Sequence, residues 1–98
     1  MDIKKTRNGD MFTLAFAGRM DSLTAPEFEA DIAAMADDIA ELVLDFAELE
    51  YVSSAGLRVI LMAQKKMNRQ GEMKIINANE SVMEVFSMTG FTDILHIE

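Results

Sequence analysis

Hydrophobic positions along the chain change period several times, and each change marks an element. Residues 2–7 carry charge around Ile3 and read as a short strand. Asn8-Gly9 follows, a dipeptide that favours the positive φ angles of a tight hairpin turn. From Met11 to Ala17 the chain alternates, with Phe12, Leu14 and Phe16 on one side, as a half-buried second strand requires. Gly18 is expected to break it. Thr24-Ala25-Pro26-Glu27 has the form of a helix start, with Thr24 as cap, Pro26 in the first turn and Glu27 closing a capping box. Phe28, Ile32, Met35 and Ile39 then recur every three or four residues and predict one apolar stripe on a helix.

Leu42 to Phe46 is a short apolar run suited to a strand buried on both faces. Tyr51 and Val52 lead into Ser53-Ser54, and a second helix is predicted from about Ala55 to Gln70. Leu57, Ile60, Leu61 and Met67 form its buried side. Lys65, Lys66 and Arg69 suit the negative end of its dipole, and Gly71 stops it. Met73 to Asn77 predicts another strand. Asn79 caps a third helix carrying Val82, Val85, Phe86 and Met88, which ends at Gly90, and Ile94 to Ile97 predicts a last strand. The order β-β-α-β-α-β-α-β describes one α/β domain over residues 1–98. Its mixed, mostly parallel sheet has an N-terminal β-hairpin, with the helices packed on it.

Composition narrows the chemistry. A chain of 98 residues, half of them hydrophobic and 27% charged, has ordinary globular composition. Without cysteine it has no disulfide, thiolate nucleophile or thiolate metal site. A single His leaves no ligand set for zinc or iron, and no cofactor is expected. No apolar run approaches the roughly 18 residues of a membrane span, and no signal peptide is read at the amino terminus. The expectation is a soluble, cytoplasmic, monomeric domain that does not insert into membranes. The net charge of −8 opposes nucleic-acid binding. It is unevenly spread: ten of the seventeen acids lie between Arg19 and Arg58, where no basic residue occurs. Arg58, Lys65, Lys66 and Arg69 fall together on the second helix.

The residues offer little for catalysis. There is no Gly-rich phosphate loop and no dinucleotide fingerprint. Ser54 sits at a strand-to-helix turn, where hydrolase nucleophiles sit, but its one candidate partner is His96 and no third triad member presents itself. The same turn supports two other roles. Ser53 and Ser54 can cap the helix. Alternatively, a phosphate on the serine would gain from the free backbone N–H groups and the helix dipole while adding negative charge. Met20, Leu23 and Val52 either close the core above this turn or face a partner.

Leu42-Val43-Leu44-Asp45-Phe46 followed by Tyr51-Val52-Ser53-Ser54-Ala55-Gly56-Leu57-Arg58 resembles the signature of the STAS family, and more narrowly its SpoIIAA-like anti-sigma factor antagonists. Gly18-Arg19-Met20-Asp21, Thr24-Ala25-Pro26-Glu27 and Met88-Thr89-Gly90-Phe91 extend the likeness along nearly the whole chain. The resemblance implies a non-enzymatic, partner-switching regulator of transcription. Unphosphorylated, such a protein sequesters an anti-sigma factor that is also a serine kinase, and so frees a sigma factor. The kinase phosphorylates it, and a metal-dependent serine phosphatase reverses the modification. Alignment on Gly56-Leu57 places the implied phospho-acceptor at Ser54, with Ser53 as an alternative acceptor. Asp21 matches a family acid implicated in phosphotransfer, while Met20, Leu23, Ser53, Ala55, Gly56 and Arg58 surround the implied partner surface. Two positions depart from the family pattern: Ser53 stands where Asp is common, and Ala55 where Ser or Thr is common. The alternatives are an accessory subunit of an ABC lipid transporter and, last, a small-anion binder at the helix start.

Overall fold

The computed structural model describes residues 1–98. Strand β1 (Asp2–Asn8) turns through Gly9-Asp10 into β2 (Met11–Met20), and Asn8 pairs with Met11. The turn therefore sits one residue later than Asn8-Gly9, with Gly9 supplying the positive φ of +66°. Helix α1 (Ala25–Ala34) follows, then β3 (Glu41–Val52), α2 (Ser54–Gln70), β4 (Glu72–Ile76) and α3 (Glu80–Thr89). The chain closes with a 3-10 turn over Phe91–Asp93. The four strands lie in sequence order, β1 antiparallel to β2 and the other pairs parallel. This is the expected α/β domain with a mixed sheet.

Four details differ from the sequence reading. The chain does not break at Gly18. It continues as strand to Met20, with register shifts between Ala15 and Ala17 and between Gly18 and Arg19. Gly18 takes φ +104°, which an L side chain rarely adopts, so the bulge sits at the residue that tolerates it. Helix α1 ends at Ala34. Met35 turns extended, and Ile39 reaches the core from the following loop. No basic residue occupies the last turn of α1, and Asp37 and Asp38 follow it, an unfavourable charge for a helix C-terminus. Carbonyls at its end and in the loop beyond it are held by α2 instead: Lys66 Nζ donates to Ile32 O and Met35 O, each at 2.9 Å, and Gln70 Nε2 donates to Ala36 O and Ile39 O of the loop. The last predicted strand, Ile94 to Ile97, is reduced to one parallel bridge between Ile97 and Ile75. Finally, Leu61 is only partly buried, and Met88 is 78% exposed on α3.

One apolar cluster holds the elements together. Phe16 meets Phe28 and Phe46 edge-on, with centroids 4.9 and 5.4 Å apart. Leu14, Leu42, Leu44, Ile60, Met67, Ile75, Val82 and Phe86 are among the other members of this 23-residue cluster. Leu42, Val43 and Leu44 are all buried, as the apolar run predicted for a central strand, but Val43 stands outside the cluster on the other face of the sheet. By register it lies in a row with Thr13 and Lys74. Gly71 joins α2 to β4 where no Cβ fits, because a side chain would run into the Ala40 carbonyl. No helix is long and apolar enough to cross a membrane.

Candidate functional site

The end of β2 and the start of α2 meet at one corner of the sheet. Met20 and Val52 are neighbours on the parallel strands β2 and β3, so both chains leave the sheet side by side. The Ser53 N–H donates to Met20 O at 2.8 Å and locks the two exits together. One turn into α2, the absence of a side chain at Gly56 lets Met20 lie against the helix. A Cβ there would come within 2.7 Å of Met20 Cγ and Sδ and 3.2 Å of Val52 Cγ1. Met20 and Val52 are buried members of the core and close it beneath the turn. Leu23 is different: it is 89% exposed at the tip of the loop.

Asp21 builds that loop. Its Oδ1 accepts from the N–H groups of Leu23 and Thr24, at 3.0 and 3.1 Å, with Thr24 Oγ1 3.2 Å away. Its carbonyl accepts from the N–H groups of Thr24 and Ala25. Thr24, the predicted capping side chain, makes no cap bond. Its hydroxyl donates to Arg19 O and accepts from Asp21 N–H, and the capping box with Glu27 does not form. The Asp21 carboxylate instead takes the Thr24 N–H, which Glu27 would have taken in a capping box. These donors, the Leu23 N–H first, hold the Asp21 carboxyl below its usual range, with Arg19 adding a smaller effect. Neither serine is hydrogen-bonded to it.

At the start of α2, Ser53 is the N-cap and its Oγ accepts from Gly56 N–H at 3.4 Å, as the capping reading expected. Of the first four N–H groups, Ser53 and Gly56 thus have partners. Those of Ser54 and Ala55 have no intrahelical acceptor. Ser54 is exposed at the first helical position, Ala55 is partly buried, and no acid lies in the first turn. Arg58, exposed one turn on, pairs with Glu29 of α1 at 2.8 Å. That pair raises the Arg58 pKa and lowers that of Glu29. Beside the loop, the Arg19 guanidinium stacks 4.4 Å above the Tyr51 ring, a contact that sequence reading missed. The adjacent partners belong to two parallel strands, so no local spacing announces them.

The family model described as "STAS domain" matches residues 2–98. The chain belongs to the STAS family. Among its relatives, this STAS chain is 37% identical over 89 residues to BtrV of Bordetella bronchiseptica, which is named for anti-sigma factor antagonism. The match covers 89% of this chain and 77% of the relative. It is 30% identical over 97 residues to an anti-sigma-B factor antagonist of Listeria monocytogenes, covering 96% and 84% of the two chains. A crystal structure of an anti-sigma factor antagonist from Thermotoga maritima superimposes with a TM-score of 0.88 at 20% identity, over 97% of this chain and 84% of the other. The Bacillus cell fate determinant SpoIIAA in its phosphorylated form superimposes with a TM-score of 0.77 at 15% identity, over 99% and 91%. These two structures share the fold.

Proposed function

We propose that this STAS domain is an anti-sigma factor antagonist, a partner-binding module switched by phosphorylation of Ser54 and carrying no catalysis of its own. The observation that carries the reading is the exposed Ser54 hydroxyl at the first turn of α2, beside two N–H groups without intrahelical acceptors and next to the Asp21 loop. The names of the relatives support the same function. In the unphosphorylated state Leu23, Tyr51 and the start of α2 form the surface that engages an anti-sigma factor serine kinase. Ser54 Oγ then bonds to the γ-phosphorus of ATP held by the kinase, the bond to the bridging oxygen breaks, ADP leaves, and the hydroxyl proton passes to a base of the kinase. The dianion is accommodated by the helix N-terminus, so the fold survives while the surface changes charge. A metal-dependent serine phosphatase restores the hydroxyl.

Ser53 is the less favourable acceptor, because its Oγ is already engaged as the cap of Gly56. Asp21 acts on the switch by holding the loop beside Ser54.

The test is affinity capture from the native cytoplasm with wild type, Ser54→Ala and Ser54→Asp, with mass spectrometry of the bound proteins. Wild type and Ser54→Ala should recover a serine kinase of the anti-sigma type, and Ser54→Asp should not. Equal recovery by all three would reject the switch. Recovery of an ABC ATPase in place of the kinase would reject the function itself.

A further inference from the structure

The outward face of α2 carries a basic stripe that neither the core nor the Ser54 corner uses. Arg58, Met62, Lys65 and Arg69 stand at i, i+4, i+7 and i+11, with Leu61 beside them, opposite the buried Ile60, Ala63 and Met67. The helix contains four of the nine basic residues and none of the seventeen acids. Two of those cations are satisfied: Arg58 by Glu29, and Lys66 by the α1 carbonyls. Lys65 and Arg69 are exposed, one turn apart, and neither makes an ion pair or hydrogen bond. Like charges at that spacing disfavour the helix slightly, so an acid laid between them relieves a repulsion as well as gaining an attraction. Met62, Lys65, Lys66 and Arg69, with Gln70 and Asp37, line an open concavity of about 600 Å³. A second hollow of about 180 Å³, between Arg58, Leu61, Met62 and Lys65, adjoins it.

We propose that this stripe docks an acidic amphipathic helix of the protein partner. The inference rests on reading the chain as a partner-binding module, and adds to it a second contact along α2. Cations one turn apart around Met62 and Leu61 match a helix with carboxylates one turn apart around apolar residues. The rest of the chain holds all seventeen acids against five basic residues, three of them on β1. A carboxylate-bearing helix is therefore favoured on this stripe over the acidic remainder, which biases its orientation.

The experiment is a titration of the full ¹⁵N-labelled chain with a capped 15-residue helical peptide bearing Glu at each turn and Leu between. A peptide with Lys for each Glu, ATP, and phosphatidylglycerol vesicles are run in parallel. Amide shifts should cluster from Arg58 to Arg69 with the Glu peptide alone, and affinity should fall about tenfold between 50 and 300 mM salt. The variant Lys65→Glu/Arg69→Glu should lose the shifts while still unfolding in one cooperative transition, close to that of wild type at about 150 mM salt where its added charge is screened. Equal response to the Lys peptide, shifts elsewhere, or no response at about 1 mM peptide overturns the proposal. So does perturbation of the same amides by ATP or vesicles but not by the peptide. Adding the charge-reversed variant to the capture experiment separates the two claims. Kinase recovery undiminished by charge reversal rejects the stripe and leaves the Ser54 switch standing. Loss with charge reversal supports the stripe, and absence of kinase even with wild type rejects the switch while the peptide titration still decides the stripe.

Discussion

Leu23 and Asp21 share one loop and do opposite work. Leu23 contributes nothing to the core, yet a Leu side chain moved from water into an interface gains about 1.5–3 kcal/mol. Leu23→Ser should therefore leave the melting temperature unchanged and weaken binding of the proposed kinase partner about tenfold or more, read by isothermal titration. Full affinity in that variant would remove Leu23 from the surface. Asp21 is a loop builder, since its Oδ1 collects two backbone N–H groups. Asp21→Asn keeps that acceptor and should melt close to wild type, whereas Asp21→Ala, which has none, should melt lower. The pH dependence has a fixed sign. The native-state pKa is depressed, so the ionised carboxylate contributes stability above the ordinary value of 3.8, and this is lost as pH falls through the native pKa. The gap in melting temperature between wild type and Asp21→Ala should narrow below that value. A gap unchanged down to pH 2 would show that the charge of Asp21 adds nothing to its hydrogen bonds.

The join between β2 and α2 depends on Gly56 being small. Gly56→Ala gains up to about 1 kcal/mol of helix propensity but presses on Met20, which is fully buried and has nowhere to retreat. Overpacking of this kind costs about 1–3 kcal/mol, so the net effect should be a loss of about 1 kcal/mol, or roughly 4–8 °C in melting temperature. In a Met20→Ala background the same substitution should become neutral or stabilising. Equal loss in both backgrounds would show that Met20 is not the obstacle. This dependence was hidden in the sequence, where Gly56 reads only as part of a motif and lies 36 positions from Met20. What was legible is what local chemistry decides alone. Ser53 and Asn79 accept from N–H groups three residues on, and Gly71 and Gly90 close their helices as read. Failures came where two local signals compete or a distant element intervenes. Met35 and Ile39 keep helical spacing after α1 has ended, because both still reach the core. Gly18 looks like a terminator because a bulge and a turn both call for positive φ. The Thr24 hydroxyl turns back to the Arg19 carbonyl and the Asp21 N–H instead of capping, and Lys66 serves carbonyls at the end of α1 as well as its own helix dipole.

At the scale of the whole molecule, charge separates folding from binding. The principal extents are 32 × 27 × 19 Å. The screening length is about 30 Å at 10 mM salt and about 8 Å at 150 mM. In dilute buffer every acid therefore repels every other across the molecule, and the net charge of −8 opposes the folded state. The pairs Lys5–Asp31, Arg7–Asp38 and Arg58–Glu29 lie at the surface and return little. Sodium chloride should accordingly raise the melting temperature, by roughly 2–5 °C between 10 and 150 mM, as repulsion is screened over the surface. Docking of an acidic helix on Lys65 and Arg69 should weaken over the same range, because there the screened interaction is attractive. A general hardening of the structure by salt would move both quantities together, and local attraction within global repulsion moves them apart. In Lys65→Glu/Arg69→Glu the net charge becomes more negative by four units. Its melting temperature should rise more steeply with salt than that of wild type, while its peptide binding stays flat. Identical salt slopes in the two proteins would place the repulsion elsewhere than in the net charge.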